Sequence, residues 1–125
     1  MVNIHPKICN ICGGNVIFTS NATVYHGKEY GSGKCYLCTS CRAYVGTHKN
    51  QPKDALGILA DKDMRDMKMK CHDAFDKFWK SGKNSRSYMY QKLARELKIP
   101  VDECHFGWFD MEMLVKAYKI IVGWG

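Results

Sequence analysis

Apolar and polar residues follow two different rhythms along this chain, and the change falls near residue 50. Before it, short β-rich runs alternate with turn residues. "NVIFTS" and "ATVYHG" flank Ser20-Asn21 and predict a hairpin there. "KEYGSGKCYL" carries a Gly-Ser-Gly turn ahead of another short strand, and "CRAYVG" predicts one more. No helical period occurs in this half. After a connector punctuated by Gly46, Asn50, Pro52 and Gly57, the period becomes three to four.

The first helix is expected from Asp61. Met64, Met67, Cys71, Phe75 and Phe78 form its apolar stripe. Lys62, Asp66, Lys70, Asp73 and Lys77 form the opposite face, with opposite charges four residues apart. Both stripes read as ordinary structure, one core and one solvated. "SGKN" ends this helix after Lys80. A second is expected from about Ser85 to Leu97, with Tyr90, Leu93, Ala94 and Leu97 inward and Pro100 as its stop. "VDECHFGWF" reads as a loop. Asp110 is placed to cap a third helix that turns Leu114, Val115, Tyr118, Ile121 and Val122 inward. The fold class is therefore α+β: residues 1–48 as a small β module, residues 49–125 as a helical part, the two packed as one compact unit.

Composition changes this picture little. With 125 residues, 46% hydrophobic and 25% charged, the chain fits a globular protein with a modest core. Neither a secretory leader nor a membrane-length apolar run is read, so the expected setting is the cytoplasm, with no membrane. Charge adds more. The formal net charge is +7, and residues 49–98 hold 13 Lys/Arg against 7 Asp/Glu. Such a balance favours an acidic partner or nucleic acid, although solubility alone also explains it.

The seven cysteines carry the sharpest chemistry. In a reducing compartment they read as metal ligands and buried thiols rather than disulfides. Cys9-Asn10-Ile11-Cys12 followed by Gly13-Gly14 has the form of a zinc knuckle, in which a tight turn aims N–H groups at sulfur. A tetrahedral site needs a second pair, and "CYLCTSC" offers two frames. Cys35/Cys38 would enclose the strand residues Tyr36 and Leu37. Cys38/Cys41 encloses Thr39 and Ser40, which suit a tight turn. The second frame is preferred, with Cys35 at the end of the incoming strand. Cys9, Cys12, Cys38 and Cys41 then hold one structural zinc, making the first part a zinc ribbon. No βαβ pattern supports a redox pair instead.

The strings "CRAYVGTHKN", "DALGILADKDMR", "HDAFDKFW" and "CHFGWFD" resemble the small zinc-finger-containing proteins common in bacteriophages and prophages. The likeness runs from Cys9 to about Met113. It rests on Cys9, Cys12, Cys38, Cys41, Ala43, Tyr44, Val45, Gly46, His48, Leu56, Gly57, His72, Phe75, Asp76, Trp79, His105 and Gly107, with Ala55-Leu56-Gly57 where the family pattern has Pro-Leu-Gly. The resemblance implies a zinc site and a phage-type setting in a bacterial host cell. It implies no reaction.

Three functions follow as expectations. The first is a non-catalytic module that binds nucleic acid through Lys28, Lys34, Tyr36, Arg42 and Tyr44 of the ribbon and Lys92, Arg95 and Lys98 of the helices. The second is a protein that docks on a bacterial host protein and modulates it, with ribbon aromatics or the terminal "IIVGWG" as anchor. The third is an enzyme acting on nucleic acid through a polar pocket of His48, His72 and His105, bordered by Arg65, Lys68 and Asp76. The plainer account of that pocket is that its members tie loops to helices. An anion site with Arg65, Lys68 and Arg86 stands between the two.

Overall fold

A computed structural model describes residues 3–82 and 84–124. Met1 and Val2 of the N-terminus, Lys83 of the "SGKN" break and the final Gly125 lie outside the described residues. Two compact units emerge, Met1–Lys62 and Asp63–Gly125. Residues 49–62 thus belong with the ribbon. The class is α+β, as the residue pattern predicts.

In the first unit, β1 (Val16–Ser20), β2 (Lys34–Cys38) and β3 (Tyr44–Gly46) form one antiparallel sheet in the order β1-β2-β3. Val16 faces Cys38 across the first pair, and Cys35 faces Gly46 across the second. Strand alternation puts Tyr36 and Cys38 on one face of β2. There they join Cys9, Val16, Ala43, Val45, Ala55 and Leu59 in the unit's core. The far side of β3 is covered by the chain itself: Thr47 bridges Ala55 and Tyr44 bridges Ala60. The connector is therefore a structural edge cover.

Two expectations for this unit need correction. "ATVYHG" is not a strand. Asn21–Thr23 form a 3-10 turn, and buried Asn21 bonds both backbone groups of Tyr30: its amide donates to Tyr30 O (2.7 Å) and its carbonyl accepts from Tyr30 N (3.1 Å). That side-chain clamp closes residues 21–33 into a loop, and β2 becomes the real partner of β1. Cys35 is not at a strand end. It lies inside β2, buried.

The second unit holds α1 (Lys62–Lys80) from Asp63 on, α2 (Arg86–Leu97) and α3 (Met111–Gly123). Ser85 caps α2 by accepting from Tyr88 N (3.0 Å), and Asp110 caps α3 by accepting from Met113 N (2.9 Å). The expected loop before α3 contains two 3-10 turns, Val101–Glu103 and Phe106–Trp108. Phe75 is the hub of the core. Its ring lies 4.5 Å from Tyr90 and 5.6 Å from Phe106. Cys71 ties α1 to α3 by donating to Leu114 O at 3.4 Å. Buried positions on α3 are Leu114, Ala117 and Ile121, whereas Val122 is exposed. The inward stripe is thus rotated from the expected one: it follows the small Ala117, which permits close packing. Among the described residues no helix is long and apolar enough to cross a membrane.

Candidate metal centre

Each knuckle begins with a cysteine whose backbone is locked into a tight turn. Cys9 N donates to Gly14 O (2.8 Å), and Gly13 N donates to Cys9 O (3.0 Å). Cys38 N donates to Ala43 O (2.8 Å), and Arg42 N donates to Cys38 O (3.1 Å). The second pair of bonds repeats the first, residue for residue. Both turns need a left-handed residue just after the second cysteine: Gly13 has φ +76°, Arg42 φ +68°. Gly14 is fixed by space instead. A Cβ there would stand 2.7 Å from Ser40 Oγ, 2.8 Å from Ser40 Cβ and 3.1 Å from Cys12 Sγ.

The two turns bring four sulfurs together. Cys9, Cys12, Cys38 and Cys41 have their Sγ atoms all within 4.8 Å of one another. The Cys9–Cys41 pair is 3.7 Å apart and the Cys12–Cys38 pair 3.4 Å. Tetrahedral zinc with bonds of about 2.3 Å separates its sulfurs by about 3.8 Å. The cage therefore matches the ion in size, donor type and number. None of the seven cysteines is bridged. The frame Cys38/Cys41 is the one used, and Cys35 stays outside the cluster.

Backbone N–H groups tune these sulfurs. Ile11 N donates to Cys9 Sγ and Gly14 N to Cys12 Sγ, both at 3.3 Å. Cys41 N and Ser40 N both reach Cys38 Sγ at 3.4 Å. Donation from Cys41 N, opposed by burial and helped by Ser40 N and the Cys12 and Cys41 sulfurs, pulls Cys38 down to about 6. At Cys41 the Ala43 N–H lowers the pKa, but burial and the Cys12, Cys38 and Cys9 sulfurs together raise it to about 12. Four close thiols cannot all ionise alone; a dication resolves that conflict by displacing the protons. With four thiolates bound the coordination sphere is closed, so the centre is structural and offers no site for substrate water.

A family described as a zinc-finger-containing domain matches residues 5–123. The chain belongs to that family. No curated protein and no solved structure matches it. For this zinc-finger-containing chain, the match spans both units, so the helices are as much a part of the family pattern as the metal cage.

The polar-pocket residues fall on different units. His48 belongs to the first, exposed, its N–H donating to Asp54 O at 3.0 Å. Arg65, Lys68, His72, Asp76 and His105 belong to the second. The His72 ring meets Phe106 edge-on at 4.7 Å. Desolvation lowers its pKa first. Asp76 raises it, Lys68 and Arg86 lower it, and Asp73 raises it. Among the described residues no hydrogen bond joins Asp76 to His72. Asp76 accepts from Trp79 Nε1 (2.9 Å) and pairs with Lys80 (3.5 Å). His105 is engaged with Asp102 O (2.9 Å) and the Trp108 ring (4.4 Å). Burial and the neighbouring Arg65 lower Lys68. Among the described residues, no group of three or more His, Cys, Asp or Glu other than the four cysteines is arranged to hold a metal.

Of the expected nucleic-acid contacts, Tyr36 must be struck out. It is buried, and its hydroxyl donates to Lys53 O at 2.5 Å. Lys28, Arg42, Arg95 and Lys98 are exposed, and Lys34, Tyr44 and Lys92 are half-buried. Tyr25 and Tyr30 lie outside the expected set. Their rings meet edge to face at 5.0 Å, and Tyr30 is 56% exposed. They stand either side of Lys28 in the chain; the residue pattern gives Tyr25 to a strand, and Lys28 and Tyr30 precede the Gly-Ser-Gly turn.

Proposed function

We propose that this chain is a non-catalytic, zinc-stapled module that binds nucleic acid in a reducing cytoplasm. The observation that carries this reading is the loop between β1 and β2. It presents Tyr30 and Tyr25 in mutual edge contact, with exposed Lys28 between them in the chain. Asn21 holds the loop closed, so the rings are pre-organised and little ordering entropy opposes contact. Lys28, Lys34 and Arg42 supply charge for phosphates, and Tyr30 offers a ring to a sugar or base. The closed metal sphere supports a binding role over a catalytic one.

Affinity capture from a bacterial lysate, with and without nuclease and at low and high salt, tests this. Nucleic acid is expected at about 50 mM salt and is expected to be lost by about 200 mM, since each neutralised phosphate contributes about −0.9 to the salt slope.

A second reading, docking on a bacterial host protein, is favoured by one feature. β1 is an edge strand, and Ile17 and Phe18 on it are exposed. It predicts one dominant protein that survives both nuclease and salt.

A further inference from the structure

Helix α2 has a sharply divided surface. Met89, Leu93, Ala94 and Leu97 are buried, and Tyr90 leans on Phe75 at 4.5 Å. On the opposite face Tyr88, Gln91 and Arg95 are exposed, at steps of three and four that keep them on one stripe. Lys92 flanks that stripe, its Nζ 4.9 Å from the centre of the Trp124 ring. Arg86 and the left-handed C-cap residue Lys98 mark the two ends. Arg86 is stacked over Tyr90 at 5.1 Å.

Charge singles out the same helix. Residues 63–125 hold 12 Lys/Arg and 9 Asp/Glu, while residues 86–98 hold 4 and 1. The excess is three in both cases, so outside α2 and its cap the second unit is neutral. The single acid, Glu96, accepts a hydrogen bond from Trp124 Nε1 at 2.6 Å. It lies at the flank of the helix, and the outward stripe itself carries only polar and cationic groups.

We infer that α2 is a reading helix for the major groove of duplex DNA, with Gln91 and Arg95 addressing base edges. This rests on the nucleic-acid reading above and assigns it a second contact surface. B-DNA's major groove admits one α-helix, and a glutamine and an arginine are the side chains that pair bidentately with adenine and guanine there. Gln91 and Arg95 are one turn apart, about 6 Å along the helix axis, close to two base steps of about 3.4 Å. Lys98 meets backbone phosphate at the C-terminal end, whereas Arg86 stays with the Tyr90 and Trp79 rings, away from the outward stripe. The deep, narrow major groove of an RNA duplex excludes such a helix, so DNA is the substrate class.

Selection from random duplex DNA with the full zinc-loaded chain tests this. A short consensus containing an adenine and a guanine within about two base steps is expected. Gln91→Ala erases the adenine preference. Arg95→Lys keeps the charge but loses the fork, so the guanine preference falls by about tenfold or more while the salt slope stays. Lys98→Ala weakens all sequences alike and reduces the salt slope by about one. All three positions are exposed, and unchanged helix content and zinc stoichiometry confirm the fold. No consensus, or a consensus that survives both Gln91→Ala and Arg95→Lys, overturns the inference even where nucleic acid binds. Single-stranded RNA competing as well as the selected duplex does the same. If no nucleic acid of any kind is retained, the proposed function falls with it.

Discussion

The side chain of Asn10 holds both backbone groups of Leu59. Its amide donates to Leu59 O at 3.0 Å and its carbonyl accepts from Leu59 N at 2.9 Å. Asn10 lies between the two cysteines of the first knuckle, and Leu59 is fully buried. The metal loop and the edge-covering segment are thereby fastened to each other. Asn10→Ala leaves a carbonyl and an N–H of Leu59 without that partner. It is expected to lower the unfolding free energy by about 1–3 kcal/mol and to speed zinc loss to a chelator. Asn10→Asp keeps the acceptor and falls between the two. Thermal melts with a chromogenic zinc indicator check the order; equal stability of all three proteins refutes it.

Gly14→Ala forces a methyl into Ser40. Zinc affinity is expected to fall by about 10- to 100-fold, the size of effect known for groups that orient metal ligands. Gly14→Ala combined with Ser40→Gly recovers most of it. Competition titration against a chelator of known affinity reads both changes.

Removing the metal should unfold the first unit and spare much of the second. The sheet depends on a cage worth about 10 kcal/mol or more, whereas the helices have their own core around Phe75. Elemental analysis is expected to give one zinc per chain. Chelation then abolishes protection of β1 and β2 amides in hydrogen exchange while α1 and α3 retain theirs.

Burial pushes the thiols of Cys71 and Cys104 up to about 11, from an ordinary 9.0. Both stay protonated and resist alkylation at pH 8 in the folded protein. Above about pH 9 the unfolded chain releases these protons and the folded chain does not, so stability is lost as pH rises toward 11. Mass-mapped alkylation and alkaline melts test both parts.

His72 has a depressed pKa when folded, chiefly through desolvation. Its contribution to stability is complete above the ordinary value of 6.5 and shrinks as pH falls below it, because the unfolded chain takes up the proton first. Asp76, Asp73, Lys68 and Arg86 all act on this ring. His72→Gln is expected to flatten the acid limb of a melting-temperature profile between about pH 6.5 and 5. An unaltered limb counts against the assignment.

The metal cage was legible because its rules are local. Thr39-Ser40 favoured the Cys38/Cys41 frame on turn chemistry alone, and Asp110 announced α3 by its position. What escaped the sequence depends on contacts at a distance. "ATVYHG" has strand composition, yet Asn21 captures the backbone of Tyr30 nine residues on and turns the segment into a loop. Tyr36 reads as a surface aromatic until its hydroxyl is seen at Lys53. The stripe on α3 was misplaced because Ala117 is small rather than strongly apolar, and small residues mark where helices come close. Leu59 carries no local sign of its bond to Asn10.

Arg42 occupies the position that Gly13 fills in the first knuckle, with the same left-handed backbone. A non-glycine residue there carries a penalty of about 1–2 kcal/mol, so Arg42→Gly is the natural stabilising exchange. The guanidinium is thus mounted on the hinge of the sulfur cage rather than on a strand. Its backbone anchor is the turn that aims the sulfurs, so a chelator is expected to release this cation at the same moment that it dissolves the sheet.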